Sequence, residues 1–230
     1  MYNRASMNNQ TYDLVIFDCD GILVESEELA CRIYVDMFQE YGYHIDYAET
    51  LHKFYGMTLE SRLKISEQEL GWRPPADFIS TFHVRELELS ETQLQTVPHV
   101  HELIESIAQP KCVASNGSRK EILFRLRIAG LLAHFQNAIF SGTEVAHPKP
   151  APDVYLAAAQ AFNVAPERCV VIEDSTLGVT AAVAAGMKVY GYASFNSAEA
   201  LQFAGAIPFK SMLEMKNILL IENSQMESAT

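Results

Sequence analysis

Apolar and polar positions along this chain follow two different rhythms. Leu14-Val15-Ile16-Phe17 is an unbroken apolar run that stops at Asp18-Cys19-Asp20-Gly21. Four apolar residues closed by a turn signal predict a strand over 12–17, buried on both faces as in a parallel sheet. From Ser26 to Tyr41 the period lengthens. Ala30, Ile33, Tyr34, Met37, Phe38 and Tyr41 fall on one helical stripe, and Gly42 is placed to end it. Further helices are predicted over 58–70 and 76–94, separated by Gly71-Trp72-Arg73-Pro74-Pro75, so the block 25–95 holds helices and no strand.

After Pro98 the rhythm becomes alternation. A helix near 99–108 precedes a strand at 111–115, and a helix at 119–129 precedes a strand at 138–141. A helix at 152–162, a strand at 169–173, a helix at 175–185, a strand at 187–191 and a final pair of short elements complete the series. Strands alternating with helices at this spacing predict right-handed βαβ units. The expected fold is α/β: a doubly wound, Rossmann-like parallel sheet formed by 11–24 and 96–222, with an inserted all-helical cap at 25–95 and flexible tails at 1–10 and 223–230. A cap joined by two crossings can close over a site and exclude water.

Composition narrows the functional classes. With 230 residues, 49% of them hydrophobic, and no apolar run near the roughly 18 residues a bilayer needs, the chain reads as a soluble globular protein. The polar opening at 1–10 has no secretory pattern, so the cytoplasm is expected. A formal charge of −12 argues against binding nucleic acid or an anionic membrane surface, and it requires a local positive site for any anionic substrate. Cys19, Cys31, Cys112 and Cys169 lack metal-type spacing and read as reduced core thiols.

Polar residues stand at the end of each of four predicted strands: Asp18 and Asp20, Ser115-Asn116-Gly117, Lys149-Pro150-Ala151-Pro152-Asp153, and Glu173-Asp174. In a parallel sheet these share the carboxyl edge, where ligands bind. Singly, each reads as a turn or a helix cap. Together they suit phosphoryl transfer, with Asp18 as the nucleophile that forms an aspartyl-phosphate. A carboxylate meeting a phosphate dianion at ~4 Å faces about 4 kcal/mol of repulsion per charge pair at an intermediate dielectric. Counter-charge is therefore needed. Mg²⁺ on Asp18 and Asp174 would supply it, with Lys149 as a second positive charge and Ser115 with nearby backbone amides on the phosphoryl oxygens. Asp20 is placed to protonate the leaving oxygen and later to activate water.

The run Asp18-Cys19-Asp20-Gly21-Ile22-Leu23-Val24-Glu25-Ser26, followed in order by Ser115-Asn116-Gly117, Lys149-Pro150-Ala151-Pro152-Asp153-Val154-Tyr155 and Val171-Ile172-Glu173-Asp174-Ser175, resembles the haloacid dehalogenase superfamily of Mg²⁺-dependent phosphohydrolases with a small helical cap. The resemblance implies Asp18 as nucleophile and Asp20 as the acid/base whose main-chain oxygen also meets the metal. It implies Ser115, Asn116 and Lys149 as phosphate-binding residues, Asp174 as a metal ligand and Glu173 as one acting through water. An aspartate two residues beyond the nucleophile points to phosphate rather than halide chemistry. Within the capped branch, β-phosphoglucomutase-like isomerases are the alternative to sugar-phosphate phosphatases. The mutases carry a histidine and an arginine at positions held here by Ala30 and Leu59, which favours a phosphatase. The segment Arg32-Ile33-Tyr34 through Phe38-Gln39-Glu40-Tyr41-Gly42 is similar to 6-phosphogluconate phosphatase-like proteins, so a small phosphorylated metabolite, with 6-phosphogluconate as one candidate, is the expected partner.

A non-enzymatic alternative is a phospho-accepting signalling domain, which would be shorter and would lack the helical block. Among the remaining polar residues, His99 and His101 read as a solvated helix start, and His147 is a secondary candidate for touching substrate. Arg62, Lys53 and Lys64 are expected as surface charge, and Gly178 as a point of close packing against the sheet.

Overall fold

The computed structural model describes residues 12–135 and 138–227, with side chains up to 222. The expected tail at 1–10 lies outside the described residues, as do 228–230 of the second. The described chain forms two compact units, one up to Leu23 and again from Val97, the other Val24–Thr96.

The first element is β1 (Leu14–Phe17), every residue of which is buried. The chain then enters the helical unit. Its elements are α1 (Ser26–Glu40), α2 (Tyr47–Phe54), α3 (Leu59–Leu70) and α4 (Phe78–Gln93). Leu29, Ile33, Tyr34, Met37 and Phe38 of α1 are buried against Phe54, Leu59, Leu63, Phe78 and Phe82. Trp72 stands edge-on to Phe38, with ring centroids 4.9 Å apart, in the edge-to-face geometry aromatic quadrupoles favour. Tyr41, expected on the α1 stripe, instead lies at the helix C-cap and is exposed.

Two features of this unit differ from expectation. At eight residues, α2 is too short to display a helical period, and its local signal is Asp46, whose side chain accepts a hydrogen bond from Glu49 N at 2.8 Å. Arg62 is not surface charge. It is buried, donating from Nη2 to Glu27 at 2.6 Å and from Nε to the carbonyl of Met57 at 2.9 Å.

The chain then continues as α5 (Val100–Ser106), β2 (Lys111–Ser115), α6 (Arg119–Ile128), α7 (Leu132–Phe135), β3 (Ile139–Ser141), α8 (Asp153–Ala161), β4 (Cys169–Glu173), α9 (Thr176–Ala184), β5 (Lys188–Tyr192), α10 (Ala198–Ala204), β6 (Ile207–Phe209) and α11 (Met212–Glu227). The expected final pair of short elements is thus a helix, a sixth strand and a helix that continues through 223–227. Among the described residues six strands form one parallel sheet in the order β3-β2-β1-β4-β5-β6. Leu14 and Ile16 point to one face, where Val154, Tyr155 and Ala158 of α8 and Val179 of α9 cover them. Phe17 points to the other and meets Phe135 edge-on at 5.8 Å. Both faces are therefore covered, which is why the strands read as continuous apolar runs.

The strand order reverses direction between β1 and β4. That switch point lies where Asp18 and the Glu173-Asp174 pair leave the sheet, and it is where open α/β sheets form a ligand crevice. Among the described residues no helix is long and apolar enough to cross a membrane. All four cysteines are buried free thiols.

Candidate active site

Asp18 extends β1 by one residue, donating its amide to the carbonyl of Ile172 at 3.0 Å. Beyond it the chain curls back, with Gly21 at φ +76°, a left-handed conformation glycine adopts without steric cost. Asp18, Ser115, Lys149, Glu173 and Asp174 are all buried. The structure brings four of these together tightly. One carboxylate oxygen from each of Asp18, Glu173 and Asp174 lies within 4.8 Å of the others. Lys149 Nζ donates to Asp18 Oδ1 at 2.6 Å, to Glu173 Oε1 at 2.9 Å and to the carbonyl of Ala114 at 2.9 Å, which accounts for all three ammonium protons. The same ammonium stands 4.7 Å from the ring centre of Tyr155, in cation–π range.

Burial pushes the Asp18 carboxyl up to about 7, and the neighbouring Glu173 and Asp20 charges add to this against the pull of Lys149. For Lys149 burial works in the opposite direction, but the facing carboxylates outweigh it and hold the ammonium charged, well above its ordinary range. Three buried acidic groups thus stand together, and the Lys149 ammonium pairs with two of them. Removing charge from water is costly unless it is paired, so this cluster carries a surplus of negative charge that a divalent cation would relieve. The donors are all carboxylate oxygens, hard ligands of the kind Mg²⁺ prefers, and the residues present fit such an ion.

The supporting contacts explain how the cluster is held. Glu173 Oε2 accepts from the amide of Ser175 at 2.7 Å and from its hydroxyl at 2.9 Å, and Ser175 caps α9 through a bond from Gly178 N at 3.0 Å. Gly178 is required here because a Cβ would fall 1.5 Å from Glu173 Oε1. The expected close packing at this glycine is thus against the carboxylate at the end of β4. The carbonyl of Asp174 accepts from Asn196 Nδ2 at 2.9 Å.

Asn116, read from sequence as a phosphate-binding residue, directs its side chain elsewhere. Its Oδ1 accepts from Lys149 N at 2.9 Å and its Nδ2 donates to the carbonyl of Lys149 at 3.2 Å. The amide clamps both backbone groups of the residue whose ammonium enters the cluster. Gly142, just after β3, makes room for the clamp, since a Cβ there would stand 2.6 Å from Asn116 Oδ1. Ser115 Oγ accepts from Gly117 N at 3.1 Å and keeps a hydroxyl proton to donate. Ser141 Oγ ties the loops after β2 and β3 together by donating to the carbonyl of Gly117 at 2.6 Å.

Asp20 is not part of the tight cluster. Its carboxylate turns to α6, where Arg125 Nη1 donates to both oxygens at 2.8 and 2.9 Å. Cys19, between the two aspartates, is held as an inert thiol by burial, which pushes its pKa well above the ordinary value. His147 is largely exposed and faces Asp153 at 3.1 Å, and His99 begins α5 beside Glu102 at 2.8 Å. Sequence reasoning missed Tyr155, Ser175, Gly142, Asn196 and Arg125. Ser175 carried the signal of an N-cap residue and Tyr155 lay within a motif already singled out; Arg125 carried none.

The chain is similar to several known proteins. The family model described as haloacid dehalogenase-like hydrolase matches residues 15–192. The 6-phosphogluconate phosphatase of Escherichia coli is 33% identical over 181 residues, covering 77% of this chain and 81% of that one. A phosphorylated carbohydrates phosphatase of Thermotoga maritima is 33% identical over 214 residues, covering 90% of this chain and 98% of its own. Among solved structures, a haloacid dehalogenase family hydrolase from Deinococcus radiodurans with bound phosphate and sodium superposes with a TM-score of 0.83 at 31% identity, covering 93% of this chain and 97% of that one.

Proposed function

The chain belongs to the haloacid dehalogenase-like hydrolases, and from this we propose that it hydrolyses a small phosphorylated metabolite, a sugar phosphate, through an aspartyl-phosphate on Asp18. The observation that carries the proposal is the buried convergence of Asp18, Glu173 and Asp174, with the ammonium of Lys149 bound to the first two. Asp18 Oδ attacks phosphorus as the bond to the leaving oxygen breaks, and the carboxyl of Asp20 gives its proton to that oxygen. In the second half Asp20 takes a proton from water, whose oxygen attacks the phosphoryl group and breaks its bond to Asp18. Lys149 holds charge beside the attacking carboxylate, and the Ser115 hydroxyl donates to a phosphoryl oxygen. Asp18, Asp174, the main-chain oxygen of Asp20 and Glu173 through water would hold Mg²⁺, which neutralises the phosphoryl charge when bound.

The E. coli relative is named for 6-phosphogluconate, which makes that the first substrate to test. Ala30 packs into the helical core and Leu59 is buried at the start of α3, and neither side chain can carry a proton or bind an anion, which supports hydrolysis over isomerisation. We assign the helical unit as the cap. The four free thiols suit a reducing compartment, and we place the enzyme in the cytoplasm. The test is a panel of phosphorylated metabolites with Mg²⁺, scored for phosphate release, alongside Asp18→Asn. Release by wild type and none by the variant is expected. Retained turnover in the variant, conversion of β-glucose 1-phosphate to glucose 6-phosphate, or a long-lived phosphorylated protein without turnover would each overturn the proposal.

A further inference from the structure

Arg125 holds Asp20, an acidic residue at a strand end that stands apart from the cluster of Asp18, Glu173 and Asp174. Its Nη1 donates to Asp20 Oδ1 at 2.8 Å and to Oδ2 at 2.9 Å, with the two side chains only 14% and 25% exposed. An exposed ion pair constrains little. This one is largely out of water, and its cationic partner is fixed at its base. The helix α6 carrying Arg125 begins with a complete capping box, in which Ser118 Oγ accepts from Glu121 N at 3.3 Å and Glu121 Oε2 accepts from Ser118 N at 2.9 Å. Ile122 and Leu126, flanking Arg125 on the same helix, are fully buried. The backbone of Arg125 is therefore part of the rigid body that begins with the Ser115-Asn116-Gly117 loop.

We propose that Arg125 is a positioning residue for the acid/base carboxylate of Asp20, a role that rests on the phosphatase chemistry above. One nitrogen faces both carboxylate oxygens. Rotation about the Cβ–Cγ bond of Asp20 can thus give one oxygen to proton transfer while the other stays held. This is the logic by which an orienting partner keeps a catalytic base aimed, and placement errors near 1 Å cost up to ~100-fold in rate. Because α6 and the loop after β2 are one piece, the distance between the phosphoryl oxygens and the proton donor is set by a single element.

The test separates orientation from a merely structural ion pair by the leaving group. Release of p-nitrophenol and of phenol from the corresponding aryl phosphates is measured in single turnovers with Mg²⁺ for wild type, Arg125→Met, Arg125→Lys and Asp20→Asn. Phenoxide is the more basic leaving group and depends more on proton delivery. Arg125→Met is expected to slow phenol release about tenfold while changing p-nitrophenol release less than about twofold, and Arg125→Lys to recover part of the loss. Equal slowing of both, or of neither, overturns the role of Arg125. Asp20→Asn should show the same selectivity more strongly; if it shows none, the acid/base assignment of Asp20 fails first. Circular dichroism and melting temperature check folding, and should Arg125→Met fail to fold, Arg125→Lys alone must still slow phenol release selectively.

Discussion

Gly178→Ala is the substitution whose cost is most directly set by geometry. The new Cβ would stand 1.5 Å from Glu173 Oε1 and 2.0 Å from its Cδ, far inside van der Waals contact, so the carboxylate must move away. In moving it gives up about two of its four contacts, which are with Lys149 at 2.9 Å, the Ser175 amide at 2.7 Å and hydroxyl at 2.9 Å, and Tyr155 at 3.3 Å. Hydrogen bonds to charged groups contribute about 1.5–3 kcal/mol each, so losing two costs about 3–6 kcal/mol. Replacing a helical glycine by alanine returns about 1 kcal/mol of propensity. The net expectation is about 2–5 kcal/mol, or a melting temperature lower by roughly 5–15 °C for a chain of this size. Turnover should fall as well, because Lys149 loses one of its two anionic partners. Thermal melts and steady-state phosphate release measure both. The decisive comparison is a double-mutant cycle: introduced into Glu173→Ala, the same Gly178→Ala change should be neutral or stabilising by up to ~1 kcal/mol. A Gly178→Ala protein as stable and active as wild type, or one equally damaged in the Glu173→Ala background, would refute the reasoning.

Further outcomes are expected. Because burial raises Asp18 to about 7, its contribution to stability is present below the unfolded-state value of 3.8 and lost as pH rises through 7. Metal-free wild type should accordingly lose stability relative to Asp18→Asn between about pH 4 and pH 8, and melts in a chelator that show no such growing gap would contradict this. Adding Mg²⁺ to metal-free protein should raise the melting temperature, since an ion at 100 times its Kd adds about 2.7 kcal/mol, whereas Asp174→Asn should blunt the rise. Asn116→Ala strips both clamps from the Lys149 backbone and should cost about 1–3 kcal/mol in urea unfolding together with a drop in kcat. Phe78→Ala opens the aromatic cluster of the helical unit and should cost about 3–5 kcal/mol. The single tryptophan, Trp72, lies in that unit, so its fluorescence should report an earlier transition.

What was legible in the sequence follows from where the information is stored. A buried parallel strand has to be apolar along its length, so β1, β2 and β4 stand out as runs, and any polar residue at their carboxyl ends is conspicuous. Asp18, Ser115, Glu173 and Asp174 were found in this way. Helix ends were marked by glycine at Gly42, Gly130 and Gly186, all of which have positive φ. The failures are of a different kind. The short helix α2 shows no period within eight residues, and β6 is only three residues long with Pro208 at its centre. Sequence alone puts Arg62 at the surface, where arginine usually lies, and the carboxylate of Glu27 and the carbonyl of Met57 that make its burial tolerable are fixed only by the fold.

The same division runs through the active site. Residues that perform the chemistry sit next to a strand end in the sequence and announce themselves, whereas residues that hold them in place are distant in sequence and ordinary in type. Asn116 appears to the eye as part of a phosphate loop, but its amide reaches 33 residues along the chain to grip Lys149. Gly142 and Gly178 contribute only the absence of a methyl group; a glycine within the helical run marks close packing at Gly178 without naming Glu173 as the neighbour, and Gly142 carries no such mark. Arg125 reaches Asp20 across 105 residues of sequence. Preorganisation requires such contacts, because a carboxylate, an ammonium and a second carboxylate left to their own rotamers would not stay within the few tenths of an ångström that phosphoryl transfer demands. A chain that kept every strand-end residue but lost Gly178, Gly142 and Arg125 would therefore still match the motifs and still fold as a parallel sheet, and would be a poor catalyst.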